Sequence, residues 1–113
     1  MHELSIVQNI ITIIQSELPK YNFSKVQSIS LRIGVMRQVI PEALFFAFDC
    51  LSKNTPLEGA EIKIENIPIT GRCRNCHHEF ILENWQENCE RCGKNQMDII
   101  SGKELEIAEF EGA

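Results

Sequence analysis

No stretch of this chain is long and apolar enough to cross a bilayer as a helix, because no run of about eighteen apolar residues occurs in it. The first twenty residues lack the basic leading region of a secretory signal, and charged and amide side chains interrupt their apolar part. A cytosolic protein, without a membrane contact, is therefore expected. Positive charge is also scarce: eleven Lys and Arg stand against sixteen Asp and Glu, for a formal charge of −5. A binder of phosphate backbones carries a basic stripe, and none runs along this chain, so no nucleic-acid partner is expected. No nucleophile, base and oxyanion donor fall into a recognisable grouping, and the expectation is that the protein is not an enzyme. Internal repeats beyond two cysteine pairs are lacking, as are low-complexity segments.

What remains is 113 residues, 43% of them apolar, enough for one packed domain and a small insert. Leu4, Val7, Ile11, Ile14 and Leu18 recur at helical spacing, and Ile6, Ile10 and Ile13 widen the stripe. Ser5 and Gln8 have capping-box spacing at its start, and Pro19 is read as its end. The next segment, VQSISLRIG, places Gln27, Ile29, Leu31 and Ile33 in one phase and predicts a half-buried strand ending at Gly34. Pro41 then opens a second helix, EALFFAFDCLSKN, with Asn54 and Pro56 closing it. Leu44, Phe45, Phe46, Phe48 and Leu51 make it apolar nearly all round, so it is expected to be the most buried element. Cys50 within it reads as a small buried hydrophobe. A second strand follows at Ala60, Ile62 and Ile64, slipping phase at Asn66. A third, ELEIAEFE, changes phase between Ile107 and Ala108, as at a bulge or strand end.

The segment 70–98 between these two strands is different in kind. It is polar, and Phe80, Ile81, Leu82 and Trp85 are its only candidates for a core, too few to fold it without a staple. The staple is visible as CRNC at 73–76 and CERC at 89–92, separated by twelve residues. In a reducing compartment such pairs are metal ligands rather than disulfides, and four thiolates suit the tetrahedral preference of zinc. The residue after each pair needs a positive φ, which Gly93 adopts freely and His77 tolerates. Four thiolates around one Zn(II) carry a local charge of −2, and Arg72, Arg74, Arg91 and Lys94 are placed to offset it. His77 and His78 read as exposed imidazoles on a knuckle rather than as spare ligands.

The amino terminus, Met1-His2-Glu3, holds a second possibility. A free amine, the backbone nitrogen of His2 and its Nδ1 form two fused chelate rings, with a fourth donor from the Glu3 amide or carboxylate. Planar nitrogen donors suit Ni(II) and Cu(II) and not zinc.

Taken together, MHELSIVQNI, RIGVMRQVIPEALFFAFD and CRNCHHEF with CERCG resemble, in order and over the whole chain, the HypA/HybF family of nickel-hydrogenase maturation proteins. The resemblance implies a nickel metallochaperone that holds Ni(II) as transferred cargo at its amino terminus and zinc on its knuckles. It implies a GTPase partner and insertion of nickel into the large subunit of [NiFe] hydrogenase. By that resemblance His2 is the nickel ligand, with Met1 and Glu3 its neighbours, and Cys73, Cys76, Cys89 and Cys92 bind structural Zn(II). One departure is Gly93, where some members carry a histidine after the second pair. The expected architecture is α+β, two helices packed on a three-stranded sheet with an inserted zinc-ribbon subdomain. Residues 1–69 with 99–113 would form the nickel-binding domain and 70–98 the ribbon. Two rivals stand beside this reading: a zinc-ribbon adaptor indifferent to His2, and a rubredoxin-like iron carrier distinguishable by its colour.

Overall fold

The computed structural model describes residues 2–82 and 88–113, without the side chain of His2. Met1 and Trp85 lie outside the described residues, so the placement of Trp85 in a ribbon core does too. Helix α1 (His2–Tyr21) buries Ile6, Val7, Ile10, Ile11, Ile14 and Leu18, whereas Leu4 and Ile13 face outward. It begins three residues before Ser5, so Ser5 and Gln8 form no capping box. Pro19 also fails to end it. A proline this late deletes one amide from the ladder, while Leu18 keeps its buried seat. The end comes at Asn22, in the left-handed region at φ 57°. There the Phe23 amide donates to Leu18 O (3.3 Å) and the Asn22 amide to Pro19 O (3.4 Å), the paired bonds of a Schellman turn.

Strand β1 (Val26–Gly34) turns Ile29, Leu31 and Ile33 inward as the alternation predicts. Gln27 is exposed, and Val26, whose amide donates to Pro56 O at 2.9 Å, is buried instead. After a short 3-10 turn (Val35–Arg37), Ile40 serves as the N-cap of α2 (Pro41–Leu51), with Pro41 in its first turn. Helix α2 is not the most buried element. Only Leu44, Ala47 and Phe48 are buried, Phe45 and Phe46 are 40% and 71% exposed, and Cys50 is exposed. An eleven-residue helix has one stripe to offer its neighbours, and three phenylalanines cannot all reach it.

Strands β2 (Glu61–Ile67) and β6 (Leu105–Gly112) flank β1 in a three-stranded sheet of order β2-β1-β6. The phase slip in β2 is real: Ile62 and Ile64 are half-buried, and the next inward residue is Ile67, three positions on. In β6 the half-buried residues are Ile107, Phe110 and Gly112, the first two likewise three positions apart.

Between β2 and β6 the chain forms a second antiparallel sheet that the hydropathy pattern did not reveal. Strands β3 (Thr70–Cys73), β4 (Glu79–Ile81) and β5 (Met97–Ser101) lie in the order β4-β3-β5. Gly71 is buried at its centre, where a side chain would strike Met97 Cε and Leu82 Cδ1. Phe80 and Leu82 are half-buried and Ile81 is exposed.

By packing, the chain divides into two compact units. One comprises Met1–Arg32, Val39–Glu65 and Glu106–Ala113, and the other comprises Ile33–Gln38 and Asn66–Leu105. In the second unit, the 3-10 turn is stitched to residues 102–104 through the Met36 amide on Gly102 O (2.9 Å), the Gly34 amide on Glu104 O (2.7 Å) and Arg37 Nε on Lys103 O (2.8 Å).

Candidate metal centres

Cys73 ends β3 and Cys76 follows in the turn to β4, so the first pair sits at the tip of a hairpin. The second pair, Cys89 and Cys92, lies in the turn that precedes β5. Both turns use the same hydrogen bonds. The His77 amide donates to Cys73 O (2.8 Å) and the Cys73 amide to His78 O (3.0 Å). At the second turn the Gly93 amide donates to Cys89 O and the Cys89 amide to Lys94 O, both at 2.9 Å. Two matched knuckles thus face each other, and each needs a left-handed residue after its second cysteine. His77 (φ 65°) and Gly93 (φ 79°) supply it, as the sequence predicts.

The four sulfurs converge. Their Sγ atoms all lie within 4.8 Å of one another, with Cys73–Cys92 and Cys76–Cys89 at 3.6 Å. Thiolates about 2.3 Å from a central zinc would be roughly 3.8 Å apart along the edges of a tetrahedron, so the donor set fits that ion. Disulfide bonding, at about 2.05 Å, is excluded by the same distances. Cys73 and Cys89 are buried, Cys76 is half-buried and Cys92 exposed. The cage is therefore closed on one side and meets solvent at Cys92.

Backbone dipoles stabilise thiolate unevenly. The Lys94 amide, opposed by burial and helped by Cys73 and Asn75, brings the Cys92 thiol down to about 6. Burial works against ionisation of Cys89, but the amides of Cys92 and Arg91 and the Cys76 sulfur outweigh it and hold that thiol low. The Arg91 and Cys92 amides stand 3.3 and 3.4 Å from Cys89 Sγ. For Cys76 the balance is reversed. The His78 amide favours its thiolate, yet burial and the three neighbouring sulfurs together push it up to about 11.

The basic residues near the cage are engaged otherwise than the sequence suggests. Arg72 donates through Nε and Nη2 to Glu79 Oε2 (2.9 and 2.8 Å), its cross-strand partner in the β3–β4 register. Arg74 Nε lies 3.6 Å from Asp98 Oδ1. These guanidinium groups are spent on neighbouring carboxylates and do not offset the sulfurs alone. Lys94 acts at one remove: Nζ reaches Asn75 Oδ1 (3.4 Å), and Asn75 Nδ2 faces Cys92 Sγ at 3.8 Å. His78 is no spare ligand, for its ring stacks on Phe80 and its Nε2 lies 3.2 Å from Glu90 Oε2. That contact ties one knuckle to the other, a role that sequence spacing did not signal.

At the other candidate centre, His2 is the first residue of α1, and its side chain and Met1 lie outside the described residues. Glu3 is 6% exposed, and its Oε2 accepts the Ile40 amide at 3.1 Å. A carboxylate that far from water demands hydrogen-bonding partners. Glu3 thus enters the structure as a buried anchor, which the sequence had treated only as a neighbour or donor to the metal. Among the described residues, the four cysteines are the one cluster of His, Cys, Asp or Glu side chains arranged to hold a metal ion.

Over residues 1–112 the chain matches the family model described as hydrogenase/urease nickel incorporation, metallochaperone, hypA. Among its relatives is the hydrogenase maturation factor HypA of Desulfatibacillum aliphaticivorans, 40% identical over 100% of this chain and 88% of that protein. The factor of the same name from a Nostoc species is 45% identical over 98% of this chain and 95% of its own length. A solution structure of a HypA protein aligns with a TM-score of 0.77 at 22% identity, covering 100% of this chain and 97% of the other. The solution structure of the Ni metallochaperone HypA from Helicobacter pylori aligns at 0.66 and 20% identity, covering 97% and 96%. At these identities the two solved structures speak for a shared fold.

Proposed function

Since the chain belongs to the HypA family of hydrogenase and urease nickel-incorporation metallochaperones, we propose that it carries Ni(II) at its amino terminus and hands it on for [NiFe] hydrogenase maturation. The observation that carries this reading is the position of His2 as the first residue of α1. Amides in the first turn of a helix have no acceptor within it. The His2 amide can therefore lose its proton to a metal without breaking the α1 ladder. With the Met1 amine and His2 Nδ1 it offers three nitrogens in a plane, the donor set that Ni(II) accepts. Such a fork leaves the ion open on both faces, which suits cargo.

Zinc, in this reading, is the resident metal. Cys73, Cys76, Cys89 and Cys92 hold it, and it supplies the cross-link that a small polar ribbon lacks. The ion has no redox chemistry to contribute. Delivery proceeds with a GTPase partner to the hydrogenase large subunit, in the cytoplasm, and the protein catalyses no reaction of its own. An acidic chain whose Arg72 and Arg74 are paired with carboxylates is poorly suited to phosphate backbones, which weighs against the adaptor alternative.

The test is nickel titration of protein without an amino-terminal tag, beside His2→Ala. The wild type is expected to bind one equivalent, and the variant to bind none at the same concentrations with its zinc content unchanged. Equal binding by both proteins would defeat the assignment.

A further inference from the structure

Glu3 is buried to 6% exposure, and its Oε2 accepts the Ile40 amide at 3.1 Å. Ile40 is the N-cap of α2, and its own side chain cannot cap that helix. The anion thus sits at the start of a second helix, where the helix dipole and an otherwise orphaned amide both favour it. Residue 3 and residue 40 are far apart in sequence and belong to the same compact unit.

From this juxtaposition we infer that Glu3 is a positioning residue, a clamp that fastens the nickel-bearing terminus to the N-cap of α2 rather than a ligand of the ion. The inference rests on the reading that nickel is held at the amino terminus. A chelate made from an amine, an amide nitrogen and an imidazole forms on an unfolded peptide as readily as on this one. Affinity alone does not require a folded protein behind it. Presentation does. Without an anchor, the first turn of a helix frays and the ion would wander with it. With Glu3 fixed, residues 1 and 2 are within two covalent steps of a point defined by α2. The clamp also keeps Glu3 Oε2 at the Ile40 amide, so that oxygen is not offered to the ion. Phe45 and Phe46 of α2 are exposed, as is Ile40 at its N-cap.

Cu(II) probes this directly, because it accepts the same planar nitrogens and its unpaired electron broadens nearby amide signals. Wild type, Glu3→Gln, Glu3→Ala and His2→Ala are compared by NMR, each full length and without an amino-terminal tag. In the wild type one equivalent of Cu(II) is expected to erase the amide signals of Ile40, Glu42 and Ala43. Glu3→Gln keeps an oxygen acceptor and retains that pattern. Glu3→Ala still binds one equivalent with the same visible absorption bands, but the signals at 40–43 survive. In metal-free protein its Ile40 amide exchanges at least about tenfold faster, as expected for losing a bond to a charged acceptor. Unchanged protection at Val7 and Ile14 shows that the variant is folded.

Unaltered exchange at Ile40 in Glu3→Ala overturns the clamp alone. Altered absorption bands and lost affinity in both Glu3 variants overturn it in favour of direct ligation. Broadening that persists in His2→Ala overturns the terminal metal site itself, and the metal-free exchange measurement separates that failure from failure of the clamp.

Discussion

Within the sulfur cage, chemically identical residues are made unequal by a few backbone amides. Cys92, at about 6, is already thiolate at neutral pH, whereas Cys76, at about 11, still holds its proton. A metal must displace that proton, so binding zinc to the metal-free chain at pH 7.5 should release protons, and calorimetry in buffers of different ionisation heats should show it. On the acid side the sign is set by Cys92. Its depressed value favours thiolate above about 6, and protonation competes with the ion as the pH falls through that value. Zinc affinity measured by competition with a chelating dye should thus fall already as the pH is lowered from 7.5, because Cys76 must still lose its proton, and more steeply below pH 6. Heats that do not depend on the buffer would contradict the proton release. Backbone geometry makes a second residue-scale prediction. Gly93 has φ 79° and no atom near its missing side chain, so a substitution there costs conformational strain alone. Gly93→Val should destabilise the zinc-loaded ribbon by about 1–2 kcal/mol and Gly93→Asn by less, as read from thermal unfolding. This need for a left-handed residue was legible in the sequence because the Cys-x-x-Cys turn dictates it. The buried anchor at Glu3 was not, since its partner lies 37 positions away and is a backbone amide.

Helices show how far periodicity carries and where it stops. The stripe along α1 located its buried residues, but Pro19 was overruled by tertiary packing: with Leu18 seated, the helix closes on Asn22 instead. In α2, composition misled. A segment apolar all round reads as buried all round, yet burial depends on how many faces have something to pack against. The two kinds of apolar position should answer differently to truncation. Leu44 is fully buried, and Leu44→Ala should cost about 2–5 kcal/mol. Phe46 is 71% exposed, and Phe46→Ser should shift stability by no more than about 0.5 kcal/mol in either direction. Denaturant unfolding of the two variants checks both values, and a large loss for Phe46→Ser would mean that the α2 face is covered in solution. The phase slips in β2 and β6 were readable because a strand's period of two tolerates no insertion unnoticed.

For the molecule as a whole, the order of elements and the α+β architecture followed from alternation and helical spacing, while the ribbon's own sheet did not. Strands β3, β4 and β5 are three to five residues long and only partly buried, too short to leave an alternating hydropathy signal. Their position is set by the knuckles and by pairs such as Arg72 with Glu79. A structure so dependent on its cage should lose it with the metal. Stripping zinc with a strong chelator is expected to release amide protection at Gly71, Arg72 and Ile99 while Val7, Ile14 and Ile29 remain protected, as hydrogen exchange can follow. Ribbon amides that stay protected in metal-free protein would mean that the sheet stands without its staple.

The central claim, that nickel is held by the very start of the chain, is tested most directly by adding one residue to it. A single glycine placed before Met1 turns the Met1 amine into an amide and moves His2 out of register, yet leaves every buried side chain of α1 in place. Nickel titration of this extended protein beside the unextended one is predicted to show one tightly bound equivalent only in the latter, with equal zinc content in both. Tight binding of nickel by the extended chain, with the same absorption bands, would contradict the account.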